Sequence, residues 1–556
     1  MYVEPFVLRE KTLGDLLDEA IARAPDTDAV VYVDRDYRLN WKDFGEEVDT
    51  LAKGLMALGI QKGEKIAVWA PNVPFWVGMM FASARIGAIL LTVNTSYREN
   101  EVEYLLRHSE CENLIVVDGL RDHDYLQTIH KIVPEIRTRP RGEIHSERVP
   151  HLRRVIFLGV EKHRGMFSIP EVKALSVMTD EKAYEARKAS VSPYDVVNMQ
   201  YTSGTTGFPK GVMLSHINIG NNGYWIGYHQ GFGPKDRICL PVPLFHCFGC
   251  VLGVMAAVNH CASMIILESF NPVQVMTAVE QEKCTALYGV PTMFIAVLEH
   301  RIFDRIDFSS LRTGIMAGSV CPEPLMRRVF EKMNLTEITN VYGLTESSPG
   351  MTQTHRDEEF VRRVTTVGRH MPGVEVIIAD PETGLEAPRG EQGEVRCRGY
   401  NVMQGYYNMP EETAKAITPE GWLCSGDLGV MDEEGYVVIT GRIKDMIIRG
   451  GENIYPREVE EFLAGMEGVK DVQVVGVPSR KYGEEVGAFI IPKDGVEVLP
   501  EDVRDFCRGR IAWHKVPRYV ALVREYPLTA SGKVQKYLLR QMAGEMFPEA
   551  MQEKVA

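Results

Sequence analysis

Nine consecutive residues, Thr202 to Lys210, carry two glycines, four hydroxyl side chains and one lysine. They read Thr202-Ser203-Gly204-Thr205-Thr206-Gly207-Phe208-Pro209-Lys210 and follow an apolar, strand-like run from Val196 to Gln200. Glycine lets the backbone come close to a ligand and turn where side chains would clash. Free backbone N–H groups and Ser/Thr hydroxyls donate to phosphate oxygens, and a lysine adds a mobile positive charge. The chemistry of such a loop is the grip of a polyphosphate. Its spacing is not that of a Walker A loop, in which Lys directly follows the second Gly and is itself followed by Ser or Thr. Here Phe208 and Pro209 intervene and Gly211 follows Lys210, so Ras-like and kinase-like readings lose their support.

Four further strings hold polar side chains next to glycines. Tyr342-Gly343-Leu344-Thr345-Glu346 follows the strand-like Glu337 to Val341, with Ala317-Gly318-Ser319 upstream. Trp422 to Asp427 ends in Ser425-Gly426-Asp427. Gly441 to Pro456 contains Arg442, Lys444, Arg449, Gly450 and Gly451. Pro527 to Val534 contains Ser531-Gly532-Lys533. Taken singly, each has a bland explanation: a solvated Glu, an Asp in a Gly turn, a hairpin, an exposed Lys. Taken together and in this order, they resemble the signature strings of the adenylate-forming enzymes. That group comprises acyl-CoA synthetases, aryl-CoA ligases, firefly-type luciferases and the adenylation domains of peptide synthetases. The resemblance runs from about residue 10 to about residue 545.

The resemblance implies specific roles. The loop Thr202 to Lys210 would hold the phosphates of ATP, with Thr206 and Lys210 at the departing pyrophosphate. Glu346 would be a ligand of Mg2+, which is normally held by carboxylate and phosphate oxygens. Tyr342 would lie against the adenine, and Gly318, Ser319, Asn340, Gly343 and Thr345 would complete the nucleotide site. Asp427 would accept from the ribose hydroxyls and Arg442 would contact the same sugar. Ser425 departs from the commonest pattern, Thr, but keeps the hydroxyl. Lys444 matches a hinge position, where a few dihedrals absorb a domain rotation. Lys444, Arg449, Gly450 and Gly451 would flank coenzyme A, and Lys533 would be the catalytic lysine that meets negative charge during displacement.

The implied reaction has two halves. A carboxylate attacks the α-phosphorus of ATP in line and gives acyl-AMP and pyrophosphate. The smaller domain then swings about Lys444, withdraws Lys533 and brings in the Gly450-Gly451 hairpin. A thiol takes the acyl group and AMP leaves. Coenzyme A is the expected thiol, with a carrier protein as the alternative. Amino-acid-activating relatives place an Asp after the Phe that Phe245 matches. His246 cannot supply that charge, so amino-acid substrates are not expected. The acyl pocket is expected at Phe245, His246, Gly318 and Tyr342. The segment Pro241 to Cys250 and the helix expected over Val251 to Val258 are apolar, with Phe248 and Met255, which calls for an uncharged, greasy acyl chain. Pro243-Leu244-Phe245-His246 and Asn94-Thr95-Ser96-Tyr97-Arg98 look most like medium-chain fatty acyl-CoA synthetases. Short-chain, cyclic and aromatic acids, luciferase-type oxidation and a binding-only role stay open at this stage.

These residues need elements to position them. The chain has 556 residues, too many for one ordinary core. Strand-like and helix-like segments alternate for most of its length, which implies sheets covered by helices. In such sheets ligands sit at the carboxyl ends of strands. We expect an α/β fold with a large N-terminal domain, residues 1–441, whose last part from about 373 is a β-rich subdomain. A hinge at 442–446 and a small, mobile α+β lid domain at 447–556 would follow. Phe75 to Val93 reads as a buried helix, a turn at Gly87 and a strand, not a membrane span. Arg137 to Arg153, charged and aperiodic, reads as an exposed excursion.

Composition limits partners. Lys+Arg minus Asp+Glu is 62 − 76 = −14, so nucleic acid and anionic membrane surfaces are disfavoured. Hydrophobic residues at 45% and charged residues at 25% describe an ordinary globular mixture. Ten scattered cysteines read as thiols in a reducing compartment. The pair Cys247 and Cys250 lacks a second pair for zinc, so core packing is expected. With no signal pattern at the N-terminus, a cytoplasmic enzyme without integral membrane association is expected. A carboxylic acid, ATP and CoA are its expected small-molecule partners, and a homodimer is left open.

Overall fold

Two mainly parallel sheets organise the first part of the chain, because their strands are apolar on both faces. Lys65 to Trp69, for example, is buried at all five positions, the pattern of a strand covered on both sides. The computed structural model describes residues 5–202, 209–319, 321–450, 452–529 and 532–548. Contacts divide the chain into two units: Met1–Val376 with Cys397–Leu423, and Ile377–Arg396 with Cys424–Ala556.

In the first unit a nine-stranded sheet runs in the order Arg369–His370, Gly350–Gln353, Glu337–Gly343, Thr313–Ala317, Ala286–Gly289, Arg237–Leu240, Ser263–Ile266, Asp28–Tyr32, Tyr37–Asn40. It is parallel from Glu337–Gly343 to Asp28–Tyr32 and antiparallel at both edges. An eight-stranded sheet runs Gly405–Tyr406, Lys210–Ser215, Val196–Thr202, Ile89–Thr92, Lys65–Trp69, Asn113–Val116, Arg154–Phe157, Phe167–Ser168. Helix His216–His229 touches strands of both sheets. Its Ser215 N-cap accepts from the Asn218 N–H and so ends the preceding strand. Helix Trp76–Arg85 is buried at all ten positions, and Gly87 turns with φ 71° into strand Ile89–Thr92, as expected. The buried Arg85 guanidinium is met by Asp18 and Asp49.

Two expectations change. Residues 138–153 are irregular but not simply exposed: Ile144, Val149 and Leu152 are buried. Arg148 ties this stretch to Glu99, Glu103 and the Lys131 carbonyl. Its apolar anchors follow no period, so charge dominated the reading. The helix expected over Val251 to Val258 begins earlier, as a π-helix Phe248–Met255, and continues as the α-helix Ala256–His260. Gly249 and Gly253 let it approach closely: a Cβ on them would lie 2.3 Å from the Pro243 carbonyl oxygen and 2.8 Å from Leu240. Wide π turns of this kind recur at functional sites.

The second unit contains most of a four-stranded sheet, Val374–Ala379, Gln392–Gly399, Leu423–Met431 and Val437–Arg442. A five-stranded sheet follows, formed by Glu452–Ile454, Ile447–Arg449, Gly483–Pro492, Val469–Ser479 and Tyr519–Leu522. Helices Pro456–Ala464, Pro500–Cys507 and Lys536–Met546 carry Leu463, Val503 and Leu539 into its two apolar clusters.

Close backbone packing in the nine-stranded sheet is directly testable. A Cβ on Gly314 would lie 2.1 Å from the Leu287 carbonyl oxygen. Gly314→Ala is expected to destabilise the protein by about 3 kcal/mol in denaturant unfolding. Gly544→Ala, on helix Lys536–Met546 with open space around it, is expected to be neutral or to stabilise by up to about 1 kcal/mol.

Candidate active site

Strand Val196–Thr202 ends at Thr202, whose register partner on the antiparallel neighbour is Lys210. The Gly/Thr string therefore joins two adjacent strands. Ser203, Gly204, Thr205, Thr206, Gly207 and Phe208 lie outside the described residues. The stem is described: the Pro209 carbonyl accepts from the Tyr104 hydroxyl at 3.2 Å, and Lys210 is buried.

The other sheet delivers Glu346. Strand Glu337–Gly343 runs into the single turn Thr345–Ser347. Gly343 is required there, since a Cβ would lie 1.7 Å from the Pro349 carbonyl oxygen. Glu346 Oε1 accepts from Thr202 Oγ1 at 3.2 Å and from the Tyr406 hydroxyl at 3.0 Å. The Glu346 carbonyl accepts from the Met403 N–H at 2.9 Å. Burial, and then the Glu346 carboxylate, push the Tyr406 phenol up, so it stays protonated and donates. Lys210 lies 4.9 Å from the Tyr406 ring centroid and pairs with Glu412. Glu412 also accepts from Lys415 at 2.6 Å. Lys210 first, and Lys415 second, hold the Glu412 carboxyl down at about 2. Thr202, Lys210 and Glu346 are thus brought together, and Tyr406 and Glu412 join them. Neither had been singled out in the sequence. The string Gly405-Tyr406-Tyr407-Asn408-Met409-Pro410-Glu411-Glu412 was its signal, a short strand running into helix Pro410–Ala416.

The remaining candidates of this unit surround the carboxyl ends of the nine-stranded sheet. Gly318 and Ser319 are exposed just beyond strand Thr313–Ala317, and Tyr342 is half-buried. Asn340 is buried: its N–H donates to Thr354 Oγ1 at 2.8 Å and its amide to the Thr366 carbonyl at 3.3 Å. Thr345 Oγ1 lies 3.7 Å from Cys247 Sγ. Phe245 is buried, and His246 Nδ1 accepts from the Phe248 N–H at 3.1 Å, which assigns the imidazole proton to Nε2. Cys247 and Cys250 are buried, Cys250 Sγ accepting from Gln200 at 3.3 Å. Among the described residues no group of three or more His, Cys, Asp or Glu could hold a metal ion. Met255 packs against Gly223 of helix His216–His229, so it belongs to the core.

The second unit holds the other candidates. Asp427 and Arg442 are register partners on adjacent strands and pair at 2.9 Å. Lys444 sits in the turn Ile443–Asp445. Burial, and then the neighbouring Arg442, push its ammonium down. The Lys444 carbonyl accepts from Arg540 at 3.1 Å, and Arg540 lies 3.6 Å from Asp445. Arg449 is held by the buried Glu485, with one of its two contacts at 3.2 Å. Its guanidinium lies 4.5 Å from the Tyr482 ring and 4.9 Å from the Trp513 ring. Gly450 turns with φ 61° and donates to the Tyr482 carbonyl at 2.8 Å, while Gly451 lies outside the described residues. Lys533 lies in a tight loop: its N–H donates to Thr529 Oγ1 at 3.0 Å, and its carbonyl accepts from the Thr529 N–H at 2.7 Å. Ala530 and Ser531 of that loop lie outside the described residues.

A phosphate-type loop stem, a buried carboxylate at strand ends and a lysine-bearing loop on a separate unit define an adenylate-forming class of enzyme. Comparison with known proteins agrees. Residues 17–407 match the family model described as AMP-binding enzyme, and residues 458–533 match the AMP-binding enzyme C-terminal domain. The chain belongs to the AMP-binding enzyme family. A Bacillus subtilis protein named as an acyl-CoA synthetase, YngI, is 51% identical over 97% of this chain and 98% of its own length. The mitochondrial medium-chain acyl-CoA ligase ACSF2 of Rattus norvegicus is 40% identical over 96% of this chain and 88% of its own. Among solved structures, anthranilate CoA ligase AuaEII in complex with anthranoyl-AMP aligns with TM-score 0.83 at 25% identity, covering 97% of this chain and 98% of that one. ATP-bound MatB from Rhodopseudomonas palustris aligns with TM-score 0.82 at 27% identity, covering 96% and 99%.

Two outcomes follow from the Glu346 and Glu412 contacts. Tyr406→Phe removes a hydrogen bond to a carboxylate and is expected to lower kcat/KM for ATP about tenfold, read by steady-state kinetics. Glu412 is depressed, so its pairing with Lys210 is present above the ordinary carboxylate range and is lost as pH falls through about 2. A carboxyl NMR titration should give a midpoint of about 2 for Glu412, moving up toward the ordinary value in Lys210→Met.

Proposed function

We propose that this protein is an ATP-dependent acyl-CoA ligase that activates medium-chain fatty acids through an acyl-adenylate. The observation that carries the reading is the junction of Thr202, Glu346 and Tyr406 beside the Lys210–Glu412 pair. It sets a buried carboxylate and a lysine at the base of the Gly/Thr loop. The medium-chain assignment is supported by ACSF2, at 40% identity over nearly the whole chain, and by the apolar surroundings of the buried Phe245.

The residues divide the work. Lys210 exchanges its Glu412 partner for phosphate and keeps departing pyrophosphate in place. Thr202 and Tyr406 aim the Glu346 carboxylate. Mg2+ fits this donor set, one carboxylate to be completed by phosphate oxygens and water. When bound it would neutralise phosphate charge, with Glu346 holding it. Asp427, its carboxylate paired with Arg442 and its backbone N–H donating to the Ser425 hydroxyl at 3.0 Å, offers its carboxylate to the ribose. Lys533 stabilises the charge that builds at the α-phosphate as the carboxylate attacks. Phe245 and His246 line the acyl chain, and His246 supplies no negative charge to pair with a substrate ammonium.

The second half-reaction uses the hinge at 442–446 and a lid domain at 447–556. Lys444 turns, Lys533 withdraws, and Gly450 and Gly451 line the arm of coenzyme A. Arg449 acts as an anchor of that hairpin, its charge already met by Glu485. A cytoplasmic setting is supported by ten free thiols. Among the described residues no helix is long and apolar enough to cross a membrane.

An acid panel with ATP and CoA is expected to release AMP, not ADP, with the highest kcat/KM on medium-length chains. Release of ADP would sink the proposal. Lys533→Ala is expected to cut adenylate formation by about 100-fold or more, while thioester formation from supplied acyl-AMP changes little. Equal loss of both halves would overturn the two-conformation scheme.

A further inference from the structure

Asn72 ties the carboxyl ends of strands from both sheets of the first unit. It lies in the turn between Pro71 and Pro74 that leaves strand Lys65–Trp69 of the eight-stranded sheet. Its amide nitrogen donates to the Val242 carbonyl at 2.9 Å and to the Leu267 carbonyl at 3.0 Å. Its amide oxygen accepts from the Leu244 N–H at 2.8 Å. Its own backbone N–H donates to the Glu268 carbonyl at 3.2 Å. These partners belong to the segments that follow strands Arg237–Leu240 and Ser263–Ile266 of the nine-stranded sheet.

The side chain is 3% exposed, and both amide protons and the amide oxygen are used. An apolar residue in its place would leave two buried carbonyls and one buried N–H without this partner, and such groups are costly to strand. The segment it holds depends on few donors. Pro241 and Pro243 have no N–H, so the Leu244 N–H is the first donor after Val242, and Asn72 takes it. Leu244 directly precedes Phe245 and His246. The two flanking prolines, Pro71 and Pro74, stiffen the turn that presents the amide.

We propose that Asn72 is a positioning residue that sets acyl selectivity. It fixes the segment from Pro241 to His246 so that Phe245 and His246 meet the hydrocarbon chain of the acid in one geometry. The proposal rests on the acyl-pocket reading given above. Asn72 touches no reacting atom and acts through Leu244, so loss of the amide should alter recognition of the acid and leave recognition of ATP in place.

The test compares Asn72→Ala, Asn72→Ser and Phe245→Ala with the unaltered protein. It measures KM and kcat for a series of straight-chain acids and for ATP, and hydrogen exchange of the peptide covering 241–247. Both Asn72 variants are expected to raise KM for the acid about three- to tenfold, the scale of one to two lost hydrogen bonds. They should flatten the chain-length preference, change KM for ATP less than about twofold, and speed exchange in 241–247. Should Asn72→Ala fail to fold, Asn72→Ser, which keeps a polar group in the buried site, decides. An unchanged acid KM, an equal rise for acid and ATP, or unchanged exchange overturns the proposal. If Phe245→Ala leaves acid KM and chain preference unaltered, the acyl-pocket reading fails and this proposal falls with it. A shift with Phe245→Ala and none with either Asn72 variant overturns this proposal alone.

Discussion

The first unit depends on buried polar bonds that hold the carboxyl edges of two different sheets together. A hydrophobic core joins sheets but fixes the height of one against the other poorly, because apolar contact has no direction. Hydrogen bonds supply the direction. Thr202 ends a strand of one sheet and donates to Glu346, which follows a strand of the other, at 3.2 Å. Tyr406 makes the second bond to the same carboxylate oxygen at 3.0 Å, and Asn72 makes the corresponding tie further along. The cost of leaving any of these groups unpaired makes the alignment specific as well as favourable.

Much of this architecture was legible in the residues. Lys65–Trp69, Asn113–Val116 and Thr313–Ala317 are legible as strands because a strand covered on both faces is written as a largely apolar run. The helix, Gly87 turn and strand between Phe75 and Val93 were legible because Gly is the residue that takes the positive φ found at this break. The AMP-binding family could be read from short strings whose glycines and charges serve a ligand. What could not be read has a common cause. Tyr406 and Glu412 lie roughly 200 residues beyond the strand they complete, and Asn72 meets partners 170 to 195 residues away. No local period encodes such a meeting. The π-helix Phe248–Met255 was missed because its glycines serve close packing on Pro243 and Leu240, which a helical pattern does not show.

The second unit solves a different electrostatic problem. Glu485 is nearly fully buried and would be costly alone; Arg449 and Arg518 face it, the latter at 3.7 Å. The Arg449 guanidinium is also enclosed by the Tyr482 and Trp513 rings. A cation so thoroughly engaged sets the shape of the hairpin base. Arg442 is different: its side chain is 53% exposed while it pairs with Asp427, so water already competes for it and a change of partner is inexpensive. Arg449 and Arg442 thus differ in how easily they release what they hold.

The chain completes its first unit out of order. Residues up to Val376 belong to it, the next twenty build the second unit, and Cys397–Leu423 return to finish the first. Lys210 meets Glu412, 202 positions further along the chain. During synthesis on the ribosome, residues emerge at a few per second to tens per second. The nascent Lys210 and Glu346 therefore wait seconds for the returning segment before their site is chemically closed. Helper proteins that shield unfinished chains would find an opportunity in that interval.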